Sequence, residues 1–343
     1  MYNTLLIGSG RRIQHNFLPA LICLQDHFKI IGVHSRSEEK RRIVAEQWNI
    51  PSISDLNLLD FSTIDVVILS ITLVNNKDVI KQLAPHASNL ILVIDTPVLP
   101  LKDLRSCVKL LNRFKQVVVT EDFMNFPQFQ LMRKVITQGT LGNIKKIILE
   151  QSGFMYHGLA LVRSYLGFES ILYSQRTVLD TKNVNINYYF KNKVLGRITE
   201  PYKRLDGSVT VIGSKGILTY GHLDLKPESS EMPLYILKEV WDGDNFMGFS
   251  VDGPNLSMTH EVEFYQMLKT IPNPDTSHFN TLKTSGLIEV FRSLIQPNFH
   301  NKYNFIEGIY DLVVSSKARS SNNFRDFFGV SIKLLINLLR YLF

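Results

Sequence analysis

The sequence predicts an α/β chain of two domains, and three observations carry that prediction. A length of 343 residues is more than one core usually holds and suits two. The 45% of hydrophobic and 20% of charged residues are those of a globular chain, not a disordered one. In the first third of the chain, short β-rich apolar runs alternate with helix-like segments, the pattern of a parallel sheet with right-handed crossovers.

The elements follow in order. Asn3 to Ile7 reads as a strand ending in Gly8-Ser9-Gly10, and a helix-like segment with Phe17, Leu18, Leu21 and Leu24 comes next. Phe28 to Ser35 is the second strand. Arg36 to Trp48 is polar with apolar punctuation, hence helical. Ile64 to Ile71 is a continuous β-rich run, the mark of a strand buried on both faces. Lys77 to Leu83 and Lys102 to Phe114 read as helices, Leu90 to Ile94 and Gln116 to Thr120 as strands.

The glycines say what such a sheet is for. Gly8 permits a tight turn after the first strand, and Gly10 lets a pyrophosphate approach the backbone where a helix begins. The third position of the usual G-x-G-x-x-G is Ile13, so helix and strand are expected to pack less closely there. The plain alternative is an ordinary strand–helix turn. At the end of the second strand, an acidic residue would hold the ribose hydroxyls of NAD, but the chain has His34-Ser35-Arg36-Ser37. A hydroxyl and a guanidinium suit a 2′-phosphate, so NADP is favoured over NAD, with Arg11 or Arg12 adding to the same anion site. The competing reading makes Arg36 a surface residue at a helix start.

Composition narrows the remaining classes. The formal charge of +7 raises nucleic acid or an acidic membrane as partners. The basic residues are scattered, however, and the densest run, Lys40-Arg41-Arg42, reads as the solvated face of a helix. No helix-turn-helix, zinc finger or aromatic-basic interleaving is present, so no nucleic acid is expected. Cys23 and Cys107 match no metal or redox spacing, and the histidines show none either, so no metal is expected. Isolated thiols and the lack of a basic leader before the first strand point to the cytoplasm.

Several further pieces, in order, carry a resemblance. They are Gly8-Ser9-Gly10 with Leu18-Pro19-Ala20-Leu21, Ile64-Asp65-Val66-Val67-Ile68 followed by Thr72, Asp95-Thr96-Pro97, and Asn125-Phe126-Pro127 with Gly139-Thr140-Leu141-Gly142-Asn143-Ile144. Later come His157 with Leu161-Val162-Arg163-Ser164-Tyr165-Leu166-Gly167, and Gly213-Ser214-Lys215-Gly216. Together they make the chain, from about residue 3 to 320, resemble the glucose–fructose oxidoreductase, inositol dehydrogenase and MocA family (Gfo/Idh/MocA). The resemblance implies an α/β Rossmann domain over 1–121 and, over 122–322, an α+β substrate and oligomerisation domain with a large, mostly antiparallel open sheet. The sequence agrees with that sheet: Lys145 to Ser152, Ser174 to Asp180, Asn183 to Phe190, Leu195 to Tyr202, Gly207 to Ile212 and Ile217 to Tyr220 read as strands between turn signals. It also implies a homo-oligomer and a small-molecule substrate. The cofactor residues carried over are Gly8, Gly10, Thr72, Asp95, Thr96 and Pro97, with Asn125 facing substrate.

The family's chemistry moves hydride between a sugar-like carbinol and nicotinamide, with a lysine and a histidine handling the hydroxyl proton. Here the lysine position is Thr96, the histidine is His157, and the two acids that often flank that histidine are Gly153 and Ala160. Three readings follow. In the first, His157 donates the proton, with Tyr156 beside it, to a carbonyl or to a more easily reduced imine. In the second, a ketosugar is the substrate and Glu121, Asp122 or Lys203 supplies a substitute acid. In the third, the protein binds nucleotide without catalysis, as a regulator or assembly partner. For His157 the bland alternative is a packed helix histidine.

The tail from Phe324 to Phe343 is an apolar surface with a narrow polar stripe of Lys333, Asn337 and Arg340, read as an amphipathic helix over 323–343. A groove of its own fold, a dimer interface, a membrane interface or a partner protein would each cover it, and the two cations argue against a true span.

Overall fold

The computed structural model describes residues 1–203, 207–221, 232–273, 275–296 and 303–325, which form two compact units. Among the described residues, the first comprises Met1–Asp122 and Phe264–Ile309, and the second comprises Phe123–Glu263 and 310–325.

The first unit is built on a six-stranded parallel sheet. Its strands are β1 (Tyr2–Ile7), β2 (Phe28–His34), β3 (Ser52–Ile53), β4 (Val66–Leu69), β5 (Ile91–Asp95) and β6 (Gln116–Thr120). They lie in the order β3-β2-β1-β4-β5-β6. The order reverses between β1 and β4, the switch point at which doubly wound sheets leave a crevice at their carboxyl ends. Val66, Val67, Ile68 and Leu69 are all fully buried, as a strand covered on both faces requires. Helices α1 (Leu18–Cys23), α2 (Glu38–Trp48), α3 (Asn76–Leu83) and α4 (Leu104–Leu111) connect the strands.

Two features of this unit depart from the sequence reading. A π-helical turn, Ile13–Phe17, precedes α1 and begins at the residue that replaces the third glycine. Ile13 is fully buried there, so the helix carries an isobutyl-sized side chain into the seam where a glycine would leave bare backbone. The unit also recruits α7 (Tyr265–Thr270) and α8 (His278–Ile295), which the sequence reading places in the second domain. Packing explains this. Leu268, Ile271, Leu287, Ile288 and Phe291 share one core with Phe17, Leu18, Leu21 and Phe28. Phe291 lies edge-on to both Phe17 and Phe28, with ring centroids 6.1 and 5.4 Å away. Asn16, in the π-turn, donates to Asn280 and Thr284 of α8 at 2.9 and 2.8 Å.

The second unit is a ten-stranded, mostly antiparallel sheet, as expected. Its strands are β7 (Ile144–Glu150), β8 (Ile171–Val178), β9 (Val184–Phe190), β10 (Leu195–Glu200), β11 (Ser208–Gly213), β12 (Ile217–Tyr220), β13 (Leu234–Asp242), β14 (Asn245–Gly253), β15 (Leu256–Glu261) and β16 (Asn323–Arg325). Two pairs, β7 with β10 and β12 with β13, are parallel. Helices α5 (Pro127–Thr137), α6 (Met155–Tyr165) and the later part of α9 (Phe305–Ser320) pack against it. Gly196 sits where a Cβ would press on Val162 of α6 at 2.8 Å. At the far end of α6, Arg163 is fully buried: it pairs with Asp311 at 2.7 Å, donates to the Glu169 and Phe168 carbonyls, and lies over the Tyr310 ring.

The C-terminal segment differs from its prediction in the part that is described. Asn323–Arg325 is a strand, not the start of a helix, because pairing with edge strand β8 satisfies its backbone. The remainder of the amphipathic segment, 326–343, lies outside the described residues. Among the described residues no helix is long and apolar enough to cross a membrane, and no group of three histidine, cysteine or acidic residues is placed to hold a metal.

Truncating the ring that joins α8 to the first sheet tests this account of the first unit. Phe291→Ala is expected to cost about 3–5 kcal/mol, read as a lowered urea midpoint; a loss under about 1 kcal/mol would mean that α8 is not integral to that core.

Candidate functional site

The carboxyl end of the first sheet is assembled from short-range constraints. Gly8 has φ +131°, and a Cβ there would collide with the Ser70 carbonyl oxygen, so no other residue lets the turn pass this close to the end of β4. Its N–H donates to the His34 carbonyl at 2.8 Å, and Ser70 N–H donates to Ile7 at 3.0 Å. Gly10 is exposed, with open space where a side chain would stand. The helical run begins directly after it, and the first N–H groups of a helix have no intrahelical partner. Bare backbone and oriented N–H groups are what a pyrophosphate needs, so these residues fit the dinucleotide that the sequence reading assigns to them.

The rim beside the glycine turn is set by hydroxyls and guanidinium groups. Ser9 donates to the Ser35 hydroxyl at 2.9 Å. Arg36 is exposed, and Ser37 caps α2 through Lys40 N–H. Arg41 corrects the reading of the Lys40-Arg41-Arg42 run as a solvated face, being only 8% exposed. It donates to the Ser35 carbonyl at 2.8 Å and to the Ser52 hydroxyl at 3.0 Å. Its place on the inner face of α2 was the available signal: Val44 and Ala45, three and four residues on, are buried as well.

Arg12 and Asp95 have an internal role. The Arg12 guanidinium pairs with Asp95 at 3.2 Å and Asp122 at 2.7 Å, and donates to Asn16 at 3.0 Å. Burial opposes its charge, but the two carboxylates outweigh burial and raise its pKa. Asp95 also accepts from Ser70 at 3.0 Å and Thr120 at 2.9 Å. The structure thus brings Arg12, Asp95 and Asp122 together, with Asp122 held in an ion pair, while Arg11 stands exposed at the start of the helix. Thr72 is exposed just beyond β4, Thr96 and Pro97 are half-buried beyond β5 and joined by a cis peptide, and Glu121 is fully buried after β6.

In the second unit the candidate proton donor lies among aromatic rings. His157 is half-buried in the first turn of α6, and its backbone N–H donates to Phe154 at 3.0 Å. Its ring lies 4.2 Å from Tyr156, 6.4 Å from Phe123 and 6.5 Å, stacked, from Phe154. Asn125 is half-buried just before α5, its carbonyl accepting from Gln130 at 2.7 Å. Lys203 is exposed and donates its backbone N–H to Gln151. The positions of the two missing acids have no room for them. A Cβ on Gly153 would stand 2.7 Å from Leu149 Cδ2 and 2.9 Å from Gly158 Cα, and Ala160 is fully buried.

Losing Arg12 should leave the buried Asp122 and the half-buried Asp95 without their shared cation. Arg12→Ala is expected to destabilise the protein by about 3–5 kcal/mol in urea unfolding at neutral pH. Unchanged stability would show that the triad is not a structural node.

Residues 2–123 match the family described as "Oxidoreductase family, NAD-binding Rossmann fold" (GFO_IDH_MocA). No curated protein is significantly similar to the chain in sequence. Among solved structures, an oxidoreductase from Thermotoga maritima is 16% identical with a TM-score of 0.67, the match covering 96% of this chain and 99% of that one. An oxidoreductase from Agrobacterium radiobacter, in complex with NAD+, L-tartaric acid and magnesium, is 14% identical with a TM-score of 0.67, covering 94% and 98%. A super-repressor mutant of Gal80p from Saccharomyces cerevisiae is 12% identical with a TM-score of 0.67, covering 97% and 100%. Residues 2–123 thus match the NAD-binding Rossmann domain of that family, and the fold along nearly the whole chain is shared with these solved structures.

Proposed function

We propose that the protein is an NADP-preferring oxidoreductase acting on a small, sugar-like carbonyl or imine substrate. The observation that carries the cofactor preference is the rim at the end of β2, where Ser35 and the exposed Arg36 stand in place of a carboxylate. A 2′-phosphate there gains a charge-assisted hydrogen bond, whereas an acidic residue would repel it. Bound nicotinamide supplies hydride transfer. Gly8 and Gly10 admit the pyrophosphate, Thr72, Thr96 and Pro97 border the crevice, and Arg12 and Asp95 fix its floor. Arg11 adds positive charge at the mouth. His157 exchanges the substrate proton at an imidazole nitrogen, with Tyr156 against its ring. Asn125 and Glu121 are assigned to substrate. An imine or conjugated double bond asks less of the acid than a ketone does, which suits a chain with Thr96 where the family's lysine stands. The reading includes a homo-oligomer.

A second reading, a catalytically silent nucleotide-binding regulator or assembly protein, is favoured by the Gly153–Gly158 contact, which closes one acid position sterically. The super-repressor mutant of Gal80p shares this fold.

Fluorescence titration with NADPH and NADH tests the cofactor site. NADPH is expected to bind more tightly, and Arg36→Ala to weaken NADPH about tenfold or more while leaving NADH nearly unchanged. If neither nucleotide binds, the oxidoreductase reading fails. Once a substrate is found, His157→Ala should slow turnover by about 10²–10⁴ with nucleotide affinity retained; unchanged turnover would remove His157 from the mechanism. Nucleotide binding without turnover of any carbonyl or imine tried would move the weight to the second reading.

A further inference from the structure

A cavity of about 420 Å³ lies wholly within the second unit, at the edge of its sheet. Strand register explains its position. Arg176 of β8 pairs with Ile186, Glu200 of β10 pairs with Val184, and Ile198 pairs with Ile186, so Arg176, Val184 and Glu200 share the face of the buried Ile186 and Ile198. At the end of the strands that face stops being apolar and becomes charged. Lys182 enters from the turn between β8 and β9, and Arg319 from the last turn of α9. Phe154 and Tyr202 complete the lining, their centroids 6.2 Å apart.

The charges do not cancel. Three cations face one carboxylate, and Arg319 takes that carboxylate at 3.1 Å with Nη2. The other terminal nitrogen of Arg319 is buried with no hydrogen-bond partner among the described residues. Among the described residues, the Arg176 side chain reaches only the side-chain carbonyl of Asn322, at 3.5 Å, and Lys182 is exposed with no ion pair. A buried guanidinium nitrogen without an acceptor is costly, and two further cations converge on the same space. Burial also raises the pKa of Glu200, so an incoming anion meets a carboxylate that accepts a proton more readily than an exposed one.

We infer that this cavity binds a small organic anion, its phosphate or carboxylate held by Arg176, Lys182 and Arg319 and its carbon skeleton lying against Phe154 and Tyr202. The guanidinium groups supply planar forks for oxygens, the ammonium a third charge, and the two rings an apolar wall. The volume suits a metabolite-sized ligand, with a bare ion leaving most of it unfilled. Phe154 is shared with the ring cluster around His157, so a ligand seated here touches the residue that stacks on that imidazole. The inference needs no nucleotide and does not depend on hydride transfer.

Calorimetric titration of the full chain with inorganic pyrophosphate and with citrate, at matched ionic strength, tests it. One of the two is expected to bind saturably at one site per chain: pyrophosphate identifies a phosphate site, and citrate a carboxylate site. The double variant Arg176→Ala/Lys182→Ala is expected to weaken that binding at least about tenfold while leaving the NADPH titration and the thermal midpoint unchanged. Lys182→Glu alone, at an exposed position, should weaken it as well and guards against misfolding of the double variant. If neither anion saturates, or if the variants bind as the wild type does, the site is overturned. Loss of NADPH binding in the wild type would instead strike the proposed cofactor site and leave this one standing.

Discussion

The ion cluster of Arg12, Asp95 and Asp122 is the constraint on which the carboxyl end of the first sheet depends. It ties the start of the first helical run to the last residue of β5 and to the chain leaving β6. Three groups with little exposure to water meet there, and Ser70, Thr120 and Asn16 satisfy much of what remains of their hydrogen bonding. Such a cluster adds little net stability over an apolar equivalent, because desolvation cancels much of the attraction, but removing one member leaves an uncompensated charge. It therefore acts by specification: the crevice at the switch point has one arrangement because the alternatives strand a carboxylate. The same logic gives Asp95 its meaning. Its oxygens are engaged by protein donors, so its first task is to hold the edge on which Thr96 and Pro97 sit.

The departures from the family's catalytic set are coupled to packing. Gly153 and Gly158 face each other where the chain enters α6, and Ala160 is buried one turn further along. An acid at either place would require the helix to move away from β7 and β10. The imidazole of His157 has aromatic neighbours, Tyr156, Phe154 and Phe123.

The sheet of the first unit was legible because buried parallel strands are written as apolar runs. Gln116–Thr120 and the core of Ile64 to Ile71 are where the sequence places them, with strand ends shifted by one or two residues. The glycine turn was legible for a steric reason, since only glycine passes Ser70. The assignment of α7 and α8 to the first unit was not, because their apolar stripes say that they pack without saying on what; a contact such as Phe291 with Phe28 joins positions far apart in the chain. Arg41 was misjudged for a tertiary reason. A guanidinium reads as solvent-facing or ligand-facing from composition, and whether a carbonyl or carboxylate waits for it is decided by tertiary structure. The charged pocket left no local signal at all: its six charged and aromatic residues come from five separate segments.

The positive balance of the chain gains a different meaning once its cations are located. Arg12, Arg41 and Arg163 are spent inside the protein, on carboxylates and carbonyls that would otherwise be unsatisfied. They contribute to the formal +7 but present little of that charge to solvent. The two proposals place the cations that meet ligands locally: Arg11 and Arg36 near the glycine turn, and Arg176, Lys182 and Arg319 at the sheet edge. Both places pair cations with features that a diffuse basic surface lacks, bare backbone at a helix start in one and a ring-walled cavity in the other. Compact cationic sites of that kind suit small anions held by a few oriented donors. On those two proposals, the cations named here divide between internal structural charges and sites for small anions.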